Sequence, residues 1–379
     1  MSLLIEHATL IDPDPAGATV HRDARLYVEE ERIVEVDGPQ VEADRVLDAT
    51  GHLVLPGMVN AHTHAAMVLL RGIGDELALE AWLETRIWPM EAHFTAETVR
   101  AGTELAIAEM LACGTTGFLD MYFFEDQVAQ AALDAGIRCR AGFTLADPGT
   151  PEHVPEDLLP EARKFLERWP ADGSLVQGSI APHATYTCGP DTLEAAAELS
   201  AHHGCTLQTH CSETRHEVYS VRAEHGHRPV EQLARHGCLN QRTVLAHCGW
   251  ITKAEAREIA DKGARVAHNP VANMKLATGG YAPVPELLEA GAPVGLGTDG
   301  AASNNRLDPF ETMKATSLVH KHHRWEHGLL PADEVLSMQT RTGAELLGLQ
   351  DGGRVTEGAP ADLCILDARK PHLQPLHDP

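Results

Sequence analysis

Six short aliphatic runs in this chain each stop at a histidine or an aspartate. LVLPGMVNA is followed by His62-Thr63-His64, LVQGSIAP by His183, TLQT by His210, TVLA by His247, ARVA by His268-Asn269 and PVGLGT by Asp299. His62 and His64 are two residues apart, so on a strand both imidazoles leave one face. With His210 and Asp299 they offer three nitrogens and one oxygen, a ligand set that suits Zn²⁺ or Fe²⁺. A lone histidine after an aliphatic run is ordinarily a hydrogen-bonded core residue, whereas four convergent candidates read as a metal site. Glu213 follows His210 by three residues in THCSETRHE, where it would stand above such a metal and move a proton between water and substrate. The plain alternative for Glu213 is a solvated loop carboxylate. His247 could orient the attacking water, with core packing as its alternative. The HKHH cluster at 320–323 lies away from any strand end and reads as a solvated helix face.

Such a set works only on a scaffold that gathers strand ends. Eight aliphatic strands fall between residues 53 and 299: LVLPGMVNAHTH, TTGFLDM, IRCRAGFTL, LVQGSIAPH, TLQTHC, TVLAHC, ARVAHN and PVGLGTD. Helical segments separate many of them. One runs from an N-cap at Thr95 to a stop at Gly114, another from a cap at Asp191 to Gly204, and a third opens on a Thr252/Glu255 capping box. Eight strand–helix units predict an α/β fold, a (β/α)₈ TIM barrel over residues 57–345, with the reacting groups at the C-terminal ends of its strands. Residues 1–56 read as short strands, as does GRVTEGAPADLCILD near the other end. Together, 1–56 and 346–379 predict one small β-sandwich domain beside the barrel. Strand four ends in His183 and holds no lysine that could bridge two metals as a carbamate, so one metal per subunit is expected.

Composition narrows the partners. The chain has 55 acidic against 30 basic residues, a formal charge of −25, and only 7 of the basic residues are lysine. A surface this acidic repels nucleic acid and anionic lipid, and it suggests a high-salt cytosol where screening relieves self-repulsion. No window approaches the ~18 consecutive apolar residues of a membrane helix. The 8 cysteines include no CxxC pair and read as reduced thiols, and MSLLIEHATLIDPD is not a signal peptide. A cytoplasmic protein is expected.

Seven segments in order, PGMVNAHTH, IWPMEA, APHATYTC, THCSE, LAHC, HNPVANMKLATG and GTDGAASNN, resemble the amidohydrolase superfamily. Within it they are most similar to 5-methylthioadenosine/S-adenosylhomocysteine deaminases, including archaeal 5′-deoxyadenosine deaminases, over about residues 3 to 367. The resemblance implies one divalent metal held by His62, His64, His210 and Asp299, with Zn²⁺ expected and Fe²⁺ the alternative. It implies contacts from Glu91 to ribose hydroxyls, from His183 near sugar and purine, and from Glu213 to the ring nitrogen beside the leaving amine. Glu213, His247 and Asp299 would carry catalysis, converting an adenosine derivative to its inosine analogue and ammonia. Such barrels often form dimers or tetramers.

Three departures qualify this likeness. Relatives that accept S-adenosylhomocysteine are expected to carry arginine after strand three, yet Ala141 to Ala162 holds no Lys or Arg and Phe143 occupies part of that region. Burying a carboxylate without a cation is costly, so a small or apolar 5′ group is expected. Ala272 stands where serine is common, which removes one polar contact. The chain stops at Pro379, earlier than the resemblance predicts, so the last strands of the small domain are expected to be missing or replaced. The rival readings are a guanine or 8-oxopurine deaminase, a triazine hydrolase, or a non-catalytic scaffold that kept the barrel.

Overall fold

The computed structural model describes residues 1–39 and 41–378. The N-terminal region holds β1 (Ser2–Asp12), β2 (Thr19–Glu29), β3 (Arg32–Val36), β4 (Arg45–Asp48) and β5 (His52–Pro56). The barrel strands follow: β6 (Met58–Thr63), β7 (Thr115–Tyr122), β8 (Arg138–Leu145), β9 (Val176–Pro182), β10 (Leu207–Cys211), β11 (Thr243–His247), β12 (Arg265–His268) and β13 (Val294–Leu296). They fall in the eight runs expected from the sequence, except that LVLPGMVNAHTH is divided: its first half is β5 of the other sheet and only its second half, β6, enters the barrel. They pair in chain order, β6 through β13, and every pair is parallel. All residues of β9, β10 and β11 are buried, because barrel strands are covered inside by packed side chains and outside by helices.

The seam between β13 and β6 is closed by residues just past the ladder. The Asp299 N–H donates to the His62 carbonyl at 3.0 Å. Asn60 bridges the same gap, donating to Thr298 Oγ1 at 2.7 Å and accepting from Thr298 N–H at 2.9 Å. The last strand end is thereby tied directly to the first.

Helix boundaries follow local chemistry. The Thr95 hydroxyl accepts from Thr98 N–H at 3.3 Å, and the chain leaves helix Ala96–Ala112 through Gly114 at φ +88°. Thr252 and Glu255 form the expected reciprocal cap. Asp191 is not a cap: Gly189 holds that position and the helix begins at Pro190, which already supplies helical φ and needs no N–H partner at the first turn. The HKHH segment also differs from expectation. Helix Pro309–Arg324 buries Thr312, Thr316 and His320 along one stripe of spacing four, so His320 is fully buried while His322 and His323 are exposed.

The chain ends build a second sheet. Its order is β14-β5-β1-β2-β3, where β14 is Leu363–Asp367, and β4 also pairs with β1. β14 runs antiparallel to β5, with Leu363 opposite Pro56 and Asp367 opposite His52. The long β1 pairs with β4 at residues 3–6 and with β5 at residues 9–10, so the layers of the small domain are hydrogen-bonded as one sheet over a core that includes Ile5, Leu10, Leu26 and Val54. All eight cysteines are free thiols, seven of them buried. Among the described residues no helix is long and apolar enough to cross a membrane.

Candidate functional site

The ends of β6 and β10 and the turn after β13 bring His62, His64, His210 and Asp299 together, their ligand atoms all within 4.8 Å of one another. His64 Nε2 lies 3.3 Å from His210 Nε2 and 3.1 Å from Asp299 Oδ1, and His62 Nε2 lies 3.5 Å from Asp299 Oδ1. A tetrahedral ion with bonds of ~2.0–2.1 Å has ligand–ligand edges of ~3.4 Å. The spacing therefore fits a single small divalent ion.

The hydrogen bonds behind the ligands agree. His64 Nδ1 donates to the Met121 carbonyl at 2.5 Å and His210 Nδ1 to the His183 carbonyl at 2.9 Å. A carbonyl can only accept, so each Nδ1 carries a proton and each Nε2 lone pair faces the cluster. Ser303 Oγ donates to Asp299 Oδ2 at 2.6 Å, which leaves Oδ1 for the cluster. His62 Nε2 and Asp299 Oδ1 are buried without a hydrogen-bond partner, as expected of atoms reserved for a metal.

Electrostatics reflect this crowding. Burial opposes charge on His64, but the adjacent Asp299 carboxylate outweighs it and lifts His64 to about 9, a demand for positive charge that a divalent ion would meet in place of the proton. Burial drives His210 well below its usual value, His183 down to about 4 and His247 down to about 3. Burial alone would raise Asp299, yet the close imidazoles of His62 and His64 hold it well below the carboxylate range.

Backbone conformation concentrates here too. Ser212 at φ +50°, His247 at +73°, Cys248 at +52° and Asp299 at +60° all adopt the left-handed region, unusual for residues with a Cβ. Each follows or ends a barrel strand. The turn holds His247 Nε2 at 3.8 Å from Glu213 Oε2.

The cluster opens into a cavity of about 680 Å³, counted to its mouth. Trp82, Trp88, Leu83 and Tyr186 supply apolar wall; Glu91, His183, Glu213 and Thr144 supply polar groups. Glu91, 5% exposed, accepts from Tyr122 Oη at 2.7 Å, and burial raises its pKa despite that bond. Glu213 is raised well above the carboxylate range by burial and then by the Asp299 charge. All the residues singled out for the site thus meet in one place; His268 does not. No Lys or Arg lines the cavity among the described residues. Phe143 turns away from it to pack on Phe165 and His153, and its neighbour Thr144 takes the lining position, because adjacent strand residues face opposite ways.

Four further residues fix the site and carried little sequence signal. Asn273 Nδ2 lies 3.0 Å from His247 Nδ1, both buried. As a donor it fixes the proton on Nε2 of that ring, facing Glu213. Glu217 accepts from the N–H groups of Ser212 at 2.9 Å and Glu213 at 2.7 Å, clamping the turn that carries Glu213. Asp120 accepts from Ala65 N–H at 2.6 Å, directly behind His64. Ser303 holds Asp299. Asn273 lies within HNPVANMKLATG, but nothing local says which side chain it reaches; Ala272 beside it is wholly buried.

The amidohydrolase family model matches residues 53–378. A 5′-deoxyadenosine deaminase from Methanothermobacter thermautotrophicus is 41% identical over 376 residues, covering 99% of this chain and 88% of that protein. A 5-methylthioadenosine/S-adenosylhomocysteine deaminase from Syntrophobacter fumaroxidans is 42% identical over 385 residues, covering 100% and 87%. An adenosine deaminase from Xanthomonas campestris, solved with bound zinc, superimposes with a TM-score of 0.95 at 35% identity and covers 100% of this chain and 87% of that one. The atrazine chlorohydrolase TrzN from Arthrobacter aurescens, complexed with zinc, gives a TM-score of 0.89 at 26% identity, covering 100% and 90%.

Proposed function

Since the chain belongs to the amidohydrolase family, we propose that it is a metal-dependent deaminase of adenosine derivatives with a small or apolar 5′ substituent, such as 5-methylthioadenosine or 5′-deoxyadenosine. The observation that carries this reading is a three-nitrogen, one-oxygen cluster opening on a cavity with Glu213 at one side, Glu91 at another and, among the described residues, no Lys or Arg in its lining. The metal residues are His62, His64, His210 and Asp299, and Zn²⁺ suits the set best, with Fe²⁺ the alternative. A divalent ion held there supplies Lewis acidity that makes water nucleophilic near neutral pH.

The protein's own groups do the rest. Glu91, braced by Tyr122, binds the ribose hydroxyls. His183 lies along the sugar and purine, with its ring held through Nδ1 to Thr187 Oγ1 at 2.9 Å. His247, neutral because it is buried, donates from Nε2 to the attacking water. Asp299 accepts a proton from that water. Glu213, kept in its acid form by burial, donates to the ring nitrogen beside the amine and then helps ammonia depart by recovering a proton from the new hydroxyl, while Asp299 returns its own proton to the leaving nitrogen. The balance is one water consumed, one C–O bond formed, one C–N bond broken and one ammonia released.

The same reading places the enzyme in the cytoplasm, acting on a diffusible nucleoside, as a homo-oligomer. The test is an ammonia-release panel on metal-replete protein at high KCl with 5-methylthioadenosine, 5′-deoxyadenosine, adenosine, S-adenosylhomocysteine, guanine and a triazine. Turnover of the small 5′-substituted adenosines supports the proposal. Turnover of only a free base or triazine overturns the role given to Glu91 and transfers the enzyme to the second reading, which the likeness to TrzN keeps in view.

A further inference from the structure

We propose that the N-terminal end of the barrel, opposite the metal cluster, is a binding site for a small phosphate-bearing anion. Arg138 opens β8 and Arg140 follows two residues later, so both leave the strand on one face. Arg242 immediately precedes β11 and Arg265 opens β12. Two adjoining cavities of about 900 and 840 Å³, counted to their mouths, gather these side chains. Arg32, Arg138 and Arg140 line the first; Arg140, Arg242 and Arg265 line the second, and Arg140 and Gln177 belong to both.

The charge balance there runs against that of the whole protein, which carries 55 acidic residues against 30 basic ones. Glu31 is the single carboxylate lining the first cavity, and none lines the second, among the described residues. Two of the arginines are neutralised, Arg138 by Asp362 at 2.7 Å and Arg265 by Glu345 at 3.2 Å. Arg32, Arg140 and Arg242 have no carboxylate within ion-pair distance among the described residues, and Arg32 is held by the Gly358 carbonyl at 2.6 Å. Arg242 makes only a 3.4 Å contact from Nε to Ser200 Oγ.

Arg140 is the centre of the site. It is 9% exposed, and Nε donates to the Leu347 carbonyl at 2.7 Å. That bond orients the guanidinium and leaves its terminal nitrogens unspent at the junction of the two cavities. Gly348, at φ +70°, makes room for it, since a Cβ there would stand 2.6 Å from Arg140 Nη2. A buried guanidinium without a counter-ion is an unfavourable resting arrangement, and its planar fork matches the oxygens of a phosphate. With Arg242 beside Arg140 and Arg32 at the far side, the uncompensated guanidinium groups call for a dianion rather than a monocarboxylate.

The test is titration calorimetry of the full-length, zinc-loaded protein at fixed KCl, with the inosine-type product saturating the other end of the barrel. Inorganic phosphate and ribose 5-phosphate are the two probes, and they separate a free ion from an organic phosphate. A saturable site for either probe is expected, weakened at least about tenfold in Arg242→Ser and more in Arg140→Met, with deamination unchanged in Arg242→Ser. Arg242→Ser removes a half-buried side chain with one weak contact, so it keeps the test informative if Arg140→Met does not fold. Binding no tighter than that of chloride at equal ionic strength overturns the proposal. So does binding that survives both substitutions, or that disappears when product fills the metal end.

Discussion

Asn273→Asp is isosteric and reverses one hydrogen bond behind His247. In the native protein the Asn273 amide donates to Nδ1 at 3.0 Å, so the ring proton sits on Nε2. A carboxylate at the same place can only accept. A neutral ring meets that carboxylate by carrying its proton on Nδ1, so the acceptor selects the opposite tautomer and takes the proton off Nε2. Retaining the native tautomer would forfeit a charge-assisted hydrogen bond of about 1.5–3 kcal/mol. That lowers its population by about 10- to 150-fold, since 1.4 kcal/mol is a factor of ten, and kcat for deamination should fall by the same factor. KM should change little, because Asn273 does not line the substrate cavity. Steady-state ammonia release measures the rates, and ¹⁵N shifts of the His247 ring report the tautomer independently of turnover. Asn273→Ala, which removes the bond without reversing it, should lose less activity than Asn273→Asp. An Asn273→Asp enzyme with native kcat, or one whose ring keeps the Nε2 proton, would refute the reasoning.

Glu91→Gln should reduce kcat/KM for 5′-deoxyadenosine by about 10- to 150-fold, the worth of one charge-assisted hydrogen bond to a ribose hydroxyl; a neutral effect, measured with the nucleoside, would remove Glu91 from substrate binding. S-adenosylhomocysteine should show a kcat/KM at least ~100-fold below that of 5-methylthioadenosine, because its carboxylate meets no cation in the cavity and Glu80 and Glu84 in the pocket beside it. Comparable rates for the two nucleosides would defeat that argument. Chelation should abolish turnover and lower Tm, since an ion that binds only the folded state stabilises it; zinc should restore both, and elemental analysis should find one metal per chain. Because the Glu213 pKa is raised and its acid form is the reactive one, kcat should decline as pH rises through that raised value. Glu213→Gln should lower kcat by about 10²–10⁴ and erase this limb of the profile; survival of the limb would assign it to another group.

Much of the barrel was legible because its signals are local. Aliphatic runs of four to eight residues, punctuated by glycine and capped helices, mark each strand–helix unit, and a polar residue ending a buried strand is conspicuous. His62, His64, His210, His247 and Asp299 are conspicuous on that ground alone. Where local reasoning failed, a neighbouring element had intervened. Asp191 lost the cap position to Gly189, because Pro190 starts the helix before Asp191 is reached. His320 looked solvated within HKHH, yet it shares a stripe with Thr312 and Thr316 and packs against His268 and Tyr281.

By itself, the sequence determined the strand and helix repertoire, the (β/α)₈ order, and the donor types available for one divalent metal, since each depends on side-chain chemistry and short-range periodicity. Only the tertiary structure decided how those donors are aimed. The proton on His64 is set by the Met121 carbonyl 57 residues away, that on His210 by the carbonyl of His183, and that on His247 by Asn273. Asp299 reaches His62 because the barrel closes there. The cation-free cavity and the arginine-rich opposite end are likewise properties of enclosure: they depend on which residues from distant strands face the same space, and chain closure alone brings them together.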